Sequence, residues 1–193
     1  MDHMWNGEVD LGERLRALTV TATSPDGGIR ATVTGDNRLS LRFRPGTYRW
    51  YDERGLSRQL SGLGTVTWVA WIRQREEVIR LASGRSRSEA EQSRQRHDDP
   101  GRREFAEQLR RLECAGRSAG HAVRISLSGA ARWQVEIAEG TLGARTEQAF
   151  ADEVVTAFDD LIRDRTAQLT LLRAAHFDIG VPGAWIRRAT GTG

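Results

Sequence analysis

The fold is decided by one stretch of the chain, Ile29-Arg30-Ala31-Thr32-Val33-Thr34-Gly35, which returns 94 residues later as Val123-Arg124-Ile125-Ser126-Leu127-Ser128-Gly129. Both runs alternate apolar and polar side chains and end on a glycine. At the same spacing, Glu13–Leu18 falls on Glu107–Leu112. Self-similarity at one fixed offset is the signature of a repeated structural unit. The sequence therefore predicts two copies of one small α+β unit within its 193 residues.

Each copy is predicted to open with an antiparallel meander. In the first copy, apolar and polar residues alternate in three segments separated by glycine-rich turns, a pattern typical of half-buried strands. These segments are Leu18–Thr23, Ile29–Thr34 and Leu39–Phe43. The second copy has two clear strands, Val123–Leu127 and Trp133–Ile137. Its first strand, near Cys114–Ser118, has a poor pattern, so we expect it to be short or lost.

A long helix follows each meander. From about Glu53 the apolar period changes from two to 3.6, which indicates a helix that continues to about Leu81. A second helix of the same kind is predicted from about Glu147 to Ala175. The predicted fold class is α+β: two repeats of a three-stranded antiparallel meander followed by a long helix, paired as a pseudo-dimer. The sequence leaves open whether the repeats pair within one chain or by homodimerisation.

Composition divides the chain into four parts. The first repeat covers residues 12–82, and the second covers residues 104–177. Between them, residues 83–103 are rich in Ser, Arg, Glu and Gln, which indicates a polar linker. Residues 178–193 are predicted to form a C-terminal tail.

Bulk features limit the class of protein. The longest apolar run, Val66–Ile72, is interrupted by Thr67 and is too short to cross a bilayer. The N-terminal residues lack the basic start and the apolar stretch of a signal peptide. A single cysteine cannot form an internal disulfide, which favours a reducing compartment. These features predict a cytoplasmic protein without a membrane partner. They leave open secretion by a route that reads no N-terminal signal.

No constellation of catalytic residues is visible in the sequence. None of the four histidines has Cys, Asp or Glu at metal-ligand spacing. The chain also has neither a phosphate-binding glycine loop nor a nucleophile elbow. The sequence therefore predicts a protein that is not an enzyme and that uses no cofactor or metal.

The basic residues have an unusual composition. All 29 are arginine, and the chain contains no lysine. A GC-rich coding genome explains this pattern, and so does recognition of phosphate, because the guanidinium group binds phosphate oxygens with two hydrogen bonds. Residues 1–97 carry 16 arginines and 12 acidic residues, whereas residues 98–193 carry 13 and 14. The positive charge therefore belongs to the first copy.

The strongest candidate surface is the outer face of the third predicted strand. Arg38, Arg42 and Arg44 alternate there with apolar residues, so their side chains are expected on one side of the strand. Arg30 on the neighbouring strand, with Arg49 and Arg54 just beyond, extends this set. Such a row of arginines favours binding to the phosphates of double-stranded DNA. The alternative is an ordinary solvated strand face, whose charges protect a sheet edge from aggregation.

Exposed aromatic residues form a second candidate surface. Trp68 and Trp71 are three residues apart on the first predicted helix, and Trp50 lies just before that helix. We expect these tryptophans to belong either to the core, or to the interface between the copies, or to the surface that contacts a protein partner.

The run Gly28–Leu41, followed by a long helix rich in leucine and alanine, resembles the YbaB/EbfC family of nucleoid-associated proteins. The resemblance covers residues 12–82 and 106–176. It implies a small bacterial protein of the nucleoid that pairs into dimers and binds DNA with little sequence preference. Leu18–Gly35 is also similar to small actinobacterial proteins that accompany type VII secretion systems. The sequence thus predicts a DNA-binding protein, with a protein-interaction or chaperone-like accessory of such a secretion system as the alternative.

Overall fold

The computed structural model describes residues 11–82 and 100–177. Residues 11–16 are helical and precede two three-stranded antiparallel sheets, in the orders β1-β2-β3 and β4-β5-β6. The elements are β1 (Thr19–Thr23), β2 (Ile29–Thr34), β3 (Leu39–Phe43), a 3₁₀ turn (Tyr48–Trp50), α1 (Glu53–Ala82), α2 (Pro100–Arg111), β4 (Glu113–Arg117), β5 (Val123–Ser128), β6 (Arg132–Ile137), α3 (Thr141–Ala144) and α4 (Glu147–His176).

The predicted layout of two meanders, each followed by a long helix, is confirmed. Strands β1 and β4, strands β2 and β5, and the two 30-residue helices α1 and α4 each begin and end 94 residues apart. Two positions of positive φ keep the same spacing, Gly27 with His121 and Gly46 with Gly140. Asn37 and Gly129 also have a positive φ, but they are not 94 residues apart. The repeat therefore extends to the turn after the first strand and the turn after the third, whereas the turn between the second and third strands differs.

A buried serine closes the first turn of each copy in the same way. The hydroxyl of Ser24 accepts a hydrogen bond from the backbone N–H of Ile29 at 2.9 Å. The hydroxyl of Ser118 accepts the equivalent bond from Val123 at 3.1 Å. Both serines are buried, so each hydroxyl satisfies a backbone donor that water does not reach.

Both long helices begin at an N-cap residue. The carboxylate of Asp52 accepts a hydrogen bond from the backbone N–H of Gly55 at 2.6 Å. The hydroxyl of Thr146 accepts the same bond from Ala149 at 3.3 Å. Because short polar side chains satisfy the free N–H groups of the first helical turn, these residues fix where the period changes from two to 3.6.

The two copies share one hydrophobic cluster. Helix α1 lies against β6 of the second sheet as well as β1 and β2, and α4 lies against β3 as well as β4 and β5. The ring of Trp133 on β6 contacts Trp68 on α1, with centroids 5.7 Å apart. Across the other junction, Phe43 on β3 meets Phe150 on α4 at 6.2 Å. Burial of these rings joins the described parts of the two repeats into one packed body.

Strand β4 is complete, so the expectation of a short or lost strand was wrong. It runs from Glu113 to Arg117 and pairs with β5 along its whole length. Gly116 allows this pairing under α4, because a Cβ there would lie 2.2 Å from the carbonyl oxygen of Ala157 and from the N of Leu161. Only glycine permits so close an approach of helix and strand.

Polar side chains of α4 close the free edge of β4. Asp164 accepts a hydrogen bond from the backbone N–H of Ala115, and Asp160 accepts one from that of Arg117, both at 2.9 Å. Gln168 donates to the carbonyl oxygen of Glu113 at 3.0 Å. Two of the acidic residues of this helix therefore bond to the sheet.

Removing both carboxylates tests this arrangement. We expect the double variant Asp160→Ala/Asp164→Ala to lose about 2 kcal/mol of unfolding free energy, because two edge N–H groups lose charged acceptors. Urea unfolding followed by circular dichroism measures the loss. The matched control, Asp152→Ala/Asp159→Ala, removes two exposed carboxylates from the same helix. Equal losses in both variants would show that the edge contacts are irrelevant.

The predicted linker is shorter at its C-terminal end than expected. Helix α2 begins at Pro100, so residues 100–103 of the predicted linker 83–103 are helical. Proline favours the first helical position, where its fixed φ suits the helix and its missing N–H costs nothing. Residues 83–99 and the predicted tail 178–193 lie outside the described residues. Within 11–82 and 100–177, no helix is long and apolar enough to span a bilayer.

Candidate nucleic-acid interface

The outer face of the β1-β2-β3 sheet carries the predicted arginines. Along β3, Leu41 and Phe43 are buried, whereas Ser40 and Arg42 are exposed. Along β2, Arg30 is exposed between two buried neighbours. The predicted alternation of strand faces is therefore confirmed, and the face opposite the core is left to polar side chains.

Arg30 and Arg42 lie directly opposite each other on neighbouring strands. The flanking bonds, from Arg44 N to Gly28 O and from Thr34 N to Arg38 O, make this a hydrogen-bonded pair. Cα atoms in such pairs are about 5.5 Å apart, and like charges placed there destabilise a sheet. Neither arginine forms an ion pair with any described residue. Their charges are therefore uncompensated and available to an anion.

The second copy neutralises the equivalent pair. The counterpart of Arg42 is Glu136, and its carboxylate lies 4.0 Å from the guanidinium of Arg124. The side-chain amide of Gln134 also donates to Glu136, at 3.0 Å. Both pairs have the same register in their sheets, so the difference in charge between them comes from the side chains at positions 42 and 136.

Arg38 and Arg44 extend the positive face at the two ends of β3, where both are exposed. Beyond Arg44, the hydroxyl and the N–H of Thr47 donate to its carbonyl oxygen at 2.8 and 3.0 Å, which fixes the following turn. The guanidinium of Arg49 lies 5.2 Å from the ring centre of Trp50, which is 76% exposed. An exposed aromatic ring beside a row of arginines suits contact with nucleotide bases or sugars.

Arg54 lies elsewhere. It is on the first turn of α1, in a depression that faces β6 of the second copy. Four acidic residues line the same depression: Asp52, Glu53, Glu136 and Glu139. The structure therefore groups Arg30, Arg38, Arg42 and Arg44 on one face, places Arg49 in the 3₁₀ turn after β3, and separates Arg54 from them.

The structure also separates the three tryptophans of the predicted aromatic surface. Trp68 is 7% exposed, and its indole N–H donates to the carbonyl oxygen of Ala130 in the second copy at 3.0 Å. Trp71 stacks on Trp68 at 5.5 Å and is half-buried. Trp68 belongs to the junction between the copies, and its predicted role at a partner surface does not fit this burial. Trp50 alone of the three is largely exposed.

Threonine hydroxyls complete the positive face and were not singled out by the sequence pattern. Thr19, Thr21 and Thr23 on β1 are exposed, and the hydroxyl of Thr21 is 3.0 Å from that of Thr32 on β2. The described strands of this face carry no carboxylate. Hydroxyl groups donate to phosphate oxygens, so they add neutral contacts to the charged ones.

The carboxylate of Asp26, in the turn between β1 and β2, is held in a hydrogen-bonded cluster. Tyr51 donates to Asp26 at 2.7 Å, and Ser24 and the N–H of Gly28 donate to the other carboxylate oxygen. Burial tends to raise the pKa of Asp26, but these hydrogen bonds outweigh it and lower the pKa. Burial, with the bond to Asp26, raises the pKa of Tyr51 to about 12. The cluster thus stays intact at neutral pH, with its carboxylate already bonded.

A separate cleft of about 790 Å³ lies between the C-terminal halves of α1 and α4. Its walls are largely apolar, and their charged residues are three arginines, Arg75, Arg165 and Arg173, and one glutamate, Glu76. One guanidinium nitrogen of Arg165 and the indole nitrogen of Trp71 are buried without a hydrogen-bond partner. Among the described residues, no three His, Cys, Asp or Glu side chains come together as metal ligands.

Comparison with protein-family models and with curated proteins finds no match to this chain. The resemblance to the YbaB/EbfC family therefore stays a prediction.

Proposed function

We propose that this chain is a non-enzymatic DNA-associated protein that binds duplex phosphates through the outer face of the β1-β2-β3 sheet. The observation that carries the proposal is the opposed pair Arg30 and Arg42, which lacks any acidic neighbour within the described strands. In the second copy the same two positions form an ion pair. Like charges that face each other across strands cost folding free energy. Binding of an anion offsets this cost and gives a reason for the pair.

The chemistry of this face suits binding with little sequence preference. Guanidinium groups on the face of a sheet can bind phosphate oxygens, and each phosphate that they neutralise releases a condensed counterion. The face offers guanidinium and hydroxyl groups but no element shaped to enter the major groove and distinguish bases. Affinity is therefore expected to fall steeply with salt and to vary little among duplex sequences.

We further propose that the two copies form a pseudo-dimer within one chain. Contacts across the junction support this pairing. They include the rings of Trp68 and Trp133, the bond from the N–H of Val135 to the hydroxyl of Ser61 at 2.9 Å, and that from Tyr48 to the carbonyl oxygen of Arg145 at 3.3 Å. In such an arrangement the second copy completes the core and need not itself bind DNA.

Titration of a random 30-base-pair duplex by fluorescence anisotropy tests the DNA proposal. We expect the double variant Arg30→Ala/Arg42→Ala to bind about tenfold more weakly than the wild type, because two phosphate contacts are lost. The matched control is Arg124→Ala/Arg132→Ala, which removes two arginines from the second sheet. We expect this control to bind within about twofold of the wild type, and wild-type affinity to fall by an order of magnitude or more between 50 and 200 mM salt.

Two outcomes contradict the proposal. Absence of binding at 50 mM salt excludes DNA as the ligand of this face. An equal loss in both double variants shows that net charge, rather than the opposed pair, is responsible. A single-stranded oligonucleotide in a parallel titration shows whether the exposed ring of Trp50 favours unpaired bases.

The cleft between α1 and α4 favours a second candidate function, interaction with a protein. Its apolar walls with three arginines, and the unpartnered guanidinium nitrogen of Arg165, suit an acidic amphipathic segment of a partner. This function becomes the leading one if the duplex titration shows no binding at low salt.

A further inference from the structure

Among residues 11–82 and 100–177, no strand pairs with the outer edge of β1. The carbonyl oxygen of Leu18 accepts from the N–H of Gly35 at 2.7 Å, and the N–H of Ser24 donates to Ile29 at 2.8 Å. Because hydrogen bonding alternates along an antiparallel strand, the even-numbered residues bond to β2 and the odd-numbered residues point their N–H and C=O groups away. No described residue hydrogen-bonds to the outward backbone groups of the exposed residues Thr19, Thr21 and Thr23.

The equivalent edge in the second copy is closed from within. There Asp160, Asp164 and Gln168 of α4 bond to the outward groups of β4. The residues of α1 that lie 94 positions earlier are Val66, Ala70 and Gln74. Valine and alanine have no acceptor atom in the side chain, and Val66 is 53% exposed. The first copy has the same edge without its two carboxylates.

Strand β1 also lacks the usual protection of an edge. Natural edge strands carry charged residues, proline or a bulge, because a bare edge pairs with other chains. The sequence Thr19-Val20-Thr21-Ala22-Thr23 has no charge and no proline, and its five residues pair with β2 without interruption. An edge of this kind is a template for another strand.

We propose that two copies of the chain pair antiparallel through β1, around a two-fold axis at Thr21. The strand is complementary to a second copy of itself, because its sequence is almost the same in both directions. Thr21 then faces Thr21 of the partner subunit, Thr19 faces Thr23 of the partner subunit, and Val20 faces Ala22 of the partner subunit. No charges meet, and threonine pairs across strands are favourable, as the Thr21–Thr32 contact within the sheet illustrates.

The pairing joins the two sheets into one continuous sheet of six strands. Backbone hydrogen bonds form at the three outward residues of each strand, while the contact area stays small. Small interfaces are typical of weak association, so the dimer is expected to depend on concentration. Strands are about 4.8 Å apart and rise about 3.3 Å per residue. The Arg30 side chains of the two chains are three strand spacings and four residues apart, so they are separated by about 20 Å on one face. This last consequence rests on the proposed DNA function, whereas the pairing does not.

Analytical ultracentrifugation between about 5 and 500 μM tests the pairing without DNA. We expect the mass to rise from 21.6 kDa towards twice that value. Thr21→Lys places two like charges at the axis and is expected to weaken association at least tenfold. The matched control is Thr32→Lys, which removes the same threonine pair and adds the same charge to the same face one strand away from the edge. We expect this control to associate like the wild type.

The two-fold axis at Thr21 allows a second test, by pairing chains of opposite charge at this position. A mixture of Thr21→Lys and Thr21→Glu chains is expected to dimerise again, because opposite charges then meet across the axis. The proposal is overturned by a wild type that stays monomeric at 500 μM, by equal association of Thr21→Lys and wild type, by equal weakening in Thr32→Lys, or by a mixture that stays monomeric. Circular dichroism confirms that each variant is folded.

Discussion

Replacing Gly116 with alanine is expected to lower the free energy of unfolding by about 3 kcal/mol. A Cβ at this position lies 2.2 Å from backbone atoms of Ala157 and Leu161, and backbone atoms of a helix cannot step aside as a side chain does. Helix α4 must therefore move away from β4. Its displacement also lengthens the bonds from Asp160 and Asp164 to the strand, so packing and hydrogen bonding weaken together.

Urea unfolding followed by circular dichroism and by tryptophan fluorescence measures this loss. The matched control is Gly143→Ala, because Gly143 is exposed in a helix and a Cβ there meets nothing within 4 Å. We expect the control to be neutral or slightly stabilising, since alanine favours helix over glycine. An unchanged midpoint for Gly116→Ala would show that α4 does not press on β4 as closely as described.

Strand β4 shows why local pattern was insufficient at this point. Gly116 lowers strand propensity, so the sequence near Cys114–Ser118 predicts little. The carboxylates that accept hydrogen bonds from its outer edge belong to α4, more than forty residues later in the sequence. The bounds of α1 and α4, in contrast, were predicted to within one residue, because an N-cap and a change of period are local signals.

The candidate site, too, was predictable only where local signals determine the position of a residue. Strand alternation predicted correctly that Arg38, Arg42 and Arg44 share an exposed face. The opposition of Arg30 to Arg42 follows from the tight turn after Thr34, which sets the register of β2 and β3. The separation of Arg54 from this face depends on the packing of α1 against β6, which no local signal in the sequence reveals.

Equivalent positions of the two copies differ in charge, and these differences indicate that the copies have different roles. The second copy has Glu136 where the first has Arg42, and Asp160 where the first has Val66. Each acidic residue satisfies a group within the second copy, a guanidinium in one case and an edge N–H in the other. In the first copy, no residue in the described part of the chain satisfies either group. We infer that the second copy mainly supports the core and that the first copy carries the contacts with other molecules.

Replacing Trp68 with alanine is expected to cost about 3–5 kcal/mol of unfolding free energy, the largest single loss that we expect for this chain. The ring is buried where the copies meet. It stacks on Trp71, meets the edge of Trp133 at 5.7 Å and lies beneath the guanidinium of Arg165 at 5.1 Å. Alanine removes this contact area and leaves the carbonyl oxygen of Ala130 without its indole donor.

Unfolding in urea, followed by circular dichroism at several wavelengths, measures the effect and its cooperativity. Trp50→Ala is the matched control, because the same side chain is removed where it is 76% exposed, and we expect a loss below about 0.5 kcal/mol. If the copies depend on this junction, Trp68→Ala lowers the stability of both together and a single transition moves to lower urea. A loss as small as that of the control would mean that the two copies are stable without the packing between α1 and β6.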